Sequence, residues 1–165
     1  MFDVPVLGTH AHSWIMSFPD EYTAFKTYAK LYPNACTLLV DTYDVLKSGV
    51  PNAIRVFEEM REEGIPLTKY GIRIDSGDLA YLSKKVRKML DDAGLNDCKI
   101  VVSNSLDEWT IMSILEQGGC IDSFGVGERL ITSKSEPVFG AVYKISAVKR
   151  DGVYQPRIKV SENVE

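Results

Sequence analysis

The chain has 165 residues, of which 45% are hydrophobic and 25% are charged, and its formal net charge at pH 7 is −4. This composition is ordinary for a globular protein of about one domain. The negative charge, with no Lys/Arg cluster on one face, argues against a general nucleic-acid binder. No apolar run is long enough to span a bilayer, and the first residues lack the basic and apolar regions of a signal peptide.

Three cysteines, Cys36, Cys98 and Cys120, lie far apart in the sequence. An odd number at such spacing is typical of reduced thiols, and not of a disulfide framework or a zinc site. We therefore expect a cytoplasmic protein with no nucleic-acid or membrane partner. The chain enters a strand-like run within a few residues and stops with no closing element, so we also expect a fragment of a longer protein.

Short apolar runs alternate along the chain with stretches of helical periodicity. In the first predicted helix, Tyr22, Phe25 and their successors recur at helical spacing until Pro33. The predicted strands lie at residues 4–7, 37–40, 70–74, 99–102 and immediately before 125. The predicted helices lie at residues 20–32, 51–63, 79–93 and 105–117. Ser105 and Glu108 match a capping box for the last of these helices.

This order of elements predicts an α/β fold. Short apolar strands between amphipathic helices indicate a parallel sheet covered by helices, either a barrel or a doubly wound sheet. The pattern changes after residue 127, where runs at 138–148 and 154–160 flank Asp151-Gly152, a strong hairpin signal. We expect residues 1–135 to form the parallel β/α segment and residues 136–165 an appended antiparallel hairpin.

The stretch around Arg73 contains more candidate ligand-binding groups than any other stretch of the chain. Arg73 and Asp75 are two residues apart on a predicted strand, so their side chains share one face. Ser76 and Gly77 then place backbone N–H groups at a helix N-terminus, where anions are favoured. Asp75 and Asp78 could hold a divalent metal or sugar hydroxyls. The alternative is a capped helix, with Asp78 at the helix dipole and Arg73 paired with Asp75.

Every predicted strand ends in polar or glycine residues. These strand ends are His10 and His12, Asp41 and Asp44, Arg73 and Asp75, Ser103 and Asn104, and Gly125 and Gly127. Because the carboxyl ends of parallel strands meet at one edge, where α/β folds bind ligands, the sequence predicts a ligand site at that edge.

Taken singly, the strand ends leave alternatives open. His10 and His12 could share a strand face and bind a metal with a carboxylate, one of them could be a nucleophile, or they could be structural. Asp41 and Asp44 are more often turn caps than ligands.

The later strand ends have equally plain alternatives. The Gly-x-Gly pattern of Gly125 and Gly127 resembles a phosphate cradle, but a bulge or turn is as common. Ser103 and Ser105 are expected first as helix caps and second as ligands.

Five ordered segments, followed by a sixth, resemble the nicotinate phosphoribosyltransferase family over nearly the whole chain. They are GTHAHSW at 8–14, VDTYD at 40–44, GIRIDSGD at 71–78, SNSLDE at 103–108, FGVG at 124–127 and GAVYK at 140–144. The resemblance implies an irregular parallel β/α barrel, of which this chain would be the central segment. The family joins nicotinate to phosphoribosyl pyrophosphate, giving nicotinate mononucleotide and pyrophosphate, with ATP hydrolysis coupled. The resemblance also implies Mg²⁺ as cofactor, ATP as co-substrate and a homodimer with shared active sites.

The resemblance also assigns roles to residues. His12 matches the histidine that takes a phosphoryl group from ATP. Asp41 and Asp75 match the carboxylates that hold the ribose hydroxyls and Mg²⁺-pyrophosphate. Arg73 matches an arginine near the nicotinate carboxylate, so the expected catalytic residues are His12, Arg73 and Asp75. The expected substrate-binding residues are Thr9, Asp41, Asp78, Ser103, Asn104, Gly125 and Gly127.

Three other interpretations of the sequence remain open. Nicotinamide phosphoribosyltransferase shares the barrel and the histidine, although the segments at 8–14 and 71–78 favour nicotinate. A non-catalytic phosphate- or nucleotide-binding barrel belongs to a different functional class. The chain could also be a piece that only folds and associates, because exposed sheet edges favour association.

Overall fold

A four-stranded parallel sheet forms the centre of the computed structural model, which describes residues 8–132 and 142–160. Its strands are β1 (Cys36–Leu39), β2 (Tyr70–Ile74), β3 (Lys99–Val102) and β4 (Ser123–Phe124). Each strand pairs in parallel with the strand before it in the chain, so the order across the sheet is β1-β2-β3-β4. This order is that of one arc of a β/α barrel, since a doubly wound sheet has a switch point. The predicted strand at residues 4–7 lies outside the described residues.

Helices connect the strands. They are α1 (His12–Met16), α2 (Glu21–Leu31), α3 (Val50–Glu62), α4 (Leu79–Asp92), α5 (Glu108–Glu116) and α6 (Glu128–Ile131), and a π-helical turn at Val45–Gly49 leads into α3. The four predicted helices correspond to α2, α3, α4 and α5, with ends that differ by at most three residues. None of the helices in the described ranges is long and apolar enough to cross a membrane.

Aspartates cap three of these helices, and one predicted cap is wrong. Asp20 and Asp78 accept hydrogen bonds from backbone N–H groups in the first turns of α2 and α4. In α5 the cap is Asp107, whose carboxylate accepts from the N–H of Thr110 at 2.8 Å. The predicted capping box of Ser105 and Glu108 therefore does not form. The two residues have the spacing of a capping box, but the backbone at Ser105 is still left-handed, with a φ of 48°, and the helix begins only at Glu108.

One face of the sheet packs against the helices to form the core. Leu38, Ile72 and Ile100 are cross-strand neighbours, and each is 0% exposed. Because strand side chains alternate, the opposite face receives Gly71 and Arg73. That face leads directly to the polar strand ends.

Gly49 sets how closely the π-helical turn approaches the end of β1. A Cβ at this position would lie 1.9 Å from the carbonyl oxygen of Val40, so the two backbone segments would have to separate. We expect Gly49→Ala to cost about 3 kcal/mol or more of unfolding free energy, because overpacking against backbone finds little relief. Urea denaturation measures this loss.

Gly8→Ala is the matched control, since no atom of the described residues lies within 4 Å of the added methyl group. Equal urea midpoints for the two variants would show that the chain relieves the contact at Val40.

The predicted hairpin is present as β5 (Ala147–Arg150) and β6 (Val153–Pro156), which pair antiparallel. Asp151 and Gly152 have φ values of 49° and 83°, the two left-handed residues of a type I′ turn. The strands are shorter than the apolar runs that predicted them, and residues 138–141 of the first run lie outside the described part.

The three cysteines are free thiols, as predicted. Cys36 and Cys98 are buried, and burial raises the pKa of each thiol to about 12. Both are therefore inert core residues at neutral pH.

Candidate active site

Two carboxylates mark the carboxyl edge of the sheet. Asp75 directly follows β2, and Asp41 lies two residues beyond β1 with only 1% of its side chain exposed. The hydroxyl of Ser76 donates a hydrogen bond to Oδ2 of Asp41. Oδ1 of Asp41 is also buried, but it receives no hydrogen bond from any described residue. A buried, unpaired carboxylate oxygen is costly, so this atom is suited to a ligand.

His12 faces both carboxylates from the first turn of α1. Its Nε2 lies 3.9 Å from Asp41 Oδ1 and 3.8 Å from Asp75 Oδ2. Its Nδ1 lies 3.0 Å from the hydroxyl oxygen of Thr42. With the proton on Nδ1, the ring donates to Thr42 and leaves the Nε2 lone pair facing the acids.

Arg73, Asp75 and Ser103 form a connected group across β2 and β3. The Arg73 guanidinium donates from Nε to Ser103 Oγ and from one terminal nitrogen to Asp75 Oδ1, both at 2.8 Å. Ser103 in turn donates to the same Asp75 oxygen. Burial opposes the charge on Asp75, but hydrogen bonds from Ser103, from Arg73 and from His12 when its Nε2 carries a proton hold the pKa of that carboxyl well below its usual range.

This geometry confirms two sequence predictions and corrects a third. Arg73 and Asp75 do share one face, and Asp41 and Asp75 do meet at the sheet edge. Ser103, however, caps no helix, because its hydroxyl is used by Arg73 and Asp75.

His10 has a structural position, and the suggestion that it shares a strand face with His12 is wrong. His12 begins a helix, and His10 lies in the segment before it. Nε2 of His10 accepts a hydrogen bond from the N–H of Leu39 at 3.2 Å, and its ring packs edge-on against Tyr28. Burial lowers the pKa of His10 to about 4, so the ring is neutral and supports β1.

Three further predicted residues make hydrogen bonds to the backbone. Thr9 donates to the carbonyl of Thr37 in β1. Asp44 accepts from the first N–H groups of the π-helical turn, which is the turn-capping alternative. Asp78 is exposed and accepts from the N–H of Tyr81 at 2.9 Å. Contacts of Thr9 and Asp78 with a substrate remain predictions.

The segments after β3 and β4 lie beside Ser103. Asn104 and Ser105 are exposed and have positive φ values of 102° and 48°, an uncommon conformation for non-glycine residues. Gly125 donates its N–H to the carbonyl of Val102 at 2.7 Å, and a Cβ on Gly125 would lie 3.3 Å from Ser103 Cβ. Because Gly125 has no side chain, the space next to Ser103 stays open. The phosphate cradle predicted for Gly125 and Gly127 stays a prediction.

The predicted metal ligands, Asp41 and Asp75, fit Mg²⁺ carried in by a substrate. Mg²⁺ is usually bound by one or two carboxylates together with substrate phosphates and water. Oδ1 of Asp41 offers an unpaired oxygen for it. Within the described ranges, no group of three or more His, Cys, Asp or Glu residues could hold a metal ion alone. Binding of Mg²⁺ by Asp41 and Asp75 stays a prediction.

Sequence analysis missed two side chains of this site. Thr42 is 0% exposed and orients His12, while Ser76 is 3% exposed and binds Asp41. Each follows immediately after one of the two acids in the chain. The sequence feature that could have identified both side chains is a hydroxyl residue immediately after each predicted site carboxylate.

Comparison with known proteins identifies the family. The model of the nicotinate phosphoribosyltransferase (NAPRTase) family matches residues 1–158. Nicotinate phosphoribosyltransferase of Bacillus subtilis (strain 168) is 54% identical over 164 residues, which cover 99% of this chain and 33% of that protein. The protein of that name from Dictyostelium discoideum is 37% identical, with 98% of this chain and 34% of that protein covered.

Solved structures agree with the fold. The crystal structure of human nicotinic acid phosphoribosyltransferase aligns with a TM-score of 0.67 and 28% identity, covering 74% of this chain and 35% of that one. The nicotinate phosphoribosyltransferase of Vibrio cholerae, at 18% identity and a TM-score of 0.60, shares the fold over 93% of this chain and 34% of that one. This chain spans about a third of the length of these relatives. It belongs to the nicotinate phosphoribosyltransferase family.

Proposed function

We propose that this chain carries the catalytic edge of a nicotinate phosphoribosyltransferase. The reaction joins nicotinate to phosphoribosyl pyrophosphate and releases nicotinate mononucleotide and pyrophosphate, with ATP hydrolysis coupled. The observation that carries the proposal is the position of His12 Nε2, which faces Asp41 and Asp75 at the carboxyl ends of β1 and β2. The names of the relatives support this substrate class.

His12 is the proposed phosphoryl acceptor. Its Nε2 attacks the γ-phosphorus of ATP, an N–P bond forms, and the bond to the bridging oxygen breaks so that ADP leaves. The ring gains positive charge during this attack. Its hydrogen bond with Thr42 and the two carboxylates at 3.9 and 3.8 Å would stabilise that charge.

Asp41 and Asp75 are the proposed ligands of the phosphoribosyl substrate. Their carboxylates would hold the ribose hydroxyls and stabilise the positive charge that develops at C1 as pyrophosphate leaves. Mg²⁺, when bound here, would neutralise charge on the departing pyrophosphate. Ser76 and Ser103 keep the two acids oriented, because each hydroxyl donates to one of them.

Arg73 is the proposed determinant of nicotinate over nicotinamide. A guanidinium has five N–H donors, and Arg73 uses two of them on Ser103 and Asp75 among the described residues. The remaining donors can bind the nicotinate carboxylate, for which a planar fork is well matched.

Kinetics on the acid and the amide test the proposed function. We expect the complete enzyme to prefer nicotinate by about 10- to 100-fold in kcat/KM, since hydrogen bonds between charged groups contribute about 1.5–3 kcal/mol. ADP should appear together with nicotinate mononucleotide. Arg73→Lys keeps the charge and loses the fork, so it should narrow the preference. Equal turnover of nicotinamide, or no product from either substrate, would contradict the proposal.

Two remaining expectations are proposals of the same kind. We infer a cytoplasmic enzyme, because its free and buried thiols suit a reducing compartment. We also infer a homodimer, in line with the family resemblance. The exposed apolar side chains of Trp109, Met112 and Leu115 on α5, at 60%, 46% and 50% exposure, are compatible with such an assembly.

A further inference from the structure

Residues 147–160, which comprise the β5–β6 hairpin and the four residues after it, contact the segments around His12 and Thr42. The Arg150 guanidinium donates to the carbonyl of Ser17 at 2.6 Å, and Arg157 Nε donates to the carbonyl of Met16 at 2.9 Å. Both carbonyls lie at the C-terminal end of α1. Beyond β6, the N–H of Val160 donates to the carbonyl of Thr42 at 3.1 Å.

Helix α1 needs such support, because it has only five residues, His12–Met16. Isolated helices of this length are not stable in water. Its N-cap residue, Ala11, makes no side-chain cap, and its last turn contains no basic residue. Two arginines from the hairpin therefore supply the cations that its C-terminal carbonyls favour.

The core also holds α1, but on a different side. Ile15 is 0% exposed, and the Trp14 indole donates to the carbonyl of Ala24 at 3.2 Å. These contacts fix where the helix packs. The arginines instead fix the last turn, about 6 Å along the axis from His12 at a rise of 1.5 Å per residue.

Both partners of the His12–Thr42 hydrogen bond are thus linked to residues 147–160. Thr42 is 0% exposed, and its backbone carbonyl accepts from Val160 while its hydroxyl contacts His12 Nδ1 at 3.0 Å. His12 lies at the start of the helix whose end Arg150 and Arg157 bind. Movement of the hairpin would change the distance between the two partners, and with it the direction of Nε2.

We propose that Arg150 and Arg157 are positioning residues, which hold the His12 imidazole with Nε2 directed at Asp41 and Asp75. They contact the carbonyls at the end of α1 and act on His12 through that helix. This inference rests on the proposed phosphoryl transfer to His12. The hairpin would then help to set the geometry of the site, although the sequence predicts it as an appended unit.

The test compares Arg150→Ala, Arg157→Ala and the double variant in the complete enzyme. We expect the rate of acid-labile labelling from γ-³²P-ATP to fall about 10- to 100-fold in the double variant, as for a catalytic group displaced by about 1 Å. Lys149→Ala is the matched control, because it removes a positive charge from the same strand, where Lys149 contacts only the Tyr154 ring among the described residues. It should label at the wild-type rate.

Histidine-selective ¹⁵N labelling gives a readout that is independent of turnover. The shifts of the His12 nitrogens, assigned with His12→Gln, report the hydrogen bond at Nδ1. They should move in the double variant and stay unchanged in Lys149→Ala. Arg157→Lys, which still donates one hydrogen bond, should recover part of both the labelling rate and the shift.

The outcomes separate the two proposals. Wild-type enzyme that shows no labelling would overturn the phosphoryl transfer, whereas labelled wild type with an unaffected double variant would overturn the role of the hairpin. If the double variant does not fold by circular dichroism, the single variants Arg150→Ala and Arg157→Ala decide, since each removes the hydrogen bond to one carbonyl at the end of α1. Unchanged His12 shifts in both would then reject the inference.

Discussion

Replacing His12 with glutamine is expected to abolish ATP-dependent phosphorylation of the enzyme. Glutamine has a similar reach and can still bond to Thr42, but its amide nitrogen has no nucleophilic lone pair. Loss of a nucleophile typically costs about 10³-fold or more in rate. Labelling with γ-³²P-ATP at neutral pH, followed by acid and hydroxylamine treatment, measures the phosphohistidine directly.

His10→Gln is the control for this experiment, since it changes the same residue type two positions away. His10 supports β1 through Leu39 and does not face the acids. A glutamine carbonyl can still accept that hydrogen bond, so we expect labelling to persist with a loss of about 1–2 kcal/mol in stability. Labelling of the His12→Gln enzyme, or its absence in both variants, would contradict the role given to His12.

Asp75→Asn is expected to lower kcat/KM by about 10²–10³-fold, the range found when one preorganised electrostatic group is removed. The amide keeps the shape of Asp75 but not its charge. Arg73 and the Ser103 hydroxyl would then face a neutral group, and Mg²⁺-pyrophosphate would lose a carboxylate. Steady-state kinetics with saturating ATP measure the loss.

The same variant has a pH signature in stability. The pKa of Asp75 in the folded chain lies below its ordinary value of 3.8, so the unfolded chain binds the proton more tightly. The stability that this charge contributes is therefore complete well above pH 3.8 and decreases as the pH falls through that range. We expect the stability difference between wild type and Asp75→Asn to shrink on acidification, as followed by urea denaturation at pH 7 and pH 3.

Asp20→Asn controls for the chemical change itself. Asp20 is exposed and caps α2 through the N–H of Thr23 at 2.8 Å, and asparagine caps nearly as well. Its activity should match wild type. If Asp75→Asn behaves in the same way as Asp20→Asn, the carboxylate of Asp75 has no electrostatic role.

Local patterns were sufficient to predict most of the fold. The alternation of apolar runs with helical periodicity located β1, β2 and β3, because a strand buried on both faces has few polar residues. The Asp151-Gly152 pair located the hairpin, because few other residues adopt two left-handed conformations in succession. The strand ends then predicted the site edge, since parallel strands bring their carboxyl ends together.

What the sequence could not predict depends on distant partners. Nothing near His12 indicates that Thr42, 30 residues away, sets which nitrogen faces the acids. Ser103 was expected as a cap, because its contacts with Arg73 and Asp75 cross from one strand to another. The sequence allows capping roles for Asp44 and Asp78, and the structure separates these two residues from Asp41 and Asp75.

The chain-order pairing of the sheet has a consequence for how the site is built during synthesis. Each strand joins the one made just before it, so each pairing closes a shorter loop than the contacts of Arg150 and Arg157 do, and a shorter loop costs less entropy to close. As the chain leaves the ribosome, Asp41 and Asp75 can meet once β2 has docked, and Ser103 joins them with β3.

The hairpin contacts arrive last, since they link residues 133 and 141 positions apart. Closing such a long loop is entropically costly and must wait for the rest of the chain. A nascent chain would therefore hold its two acids in place before His12 is fixed opposite them. The order of synthesis would then fix the imidazole of His12, the proposed nucleophile, only after nearly all of this segment has folded.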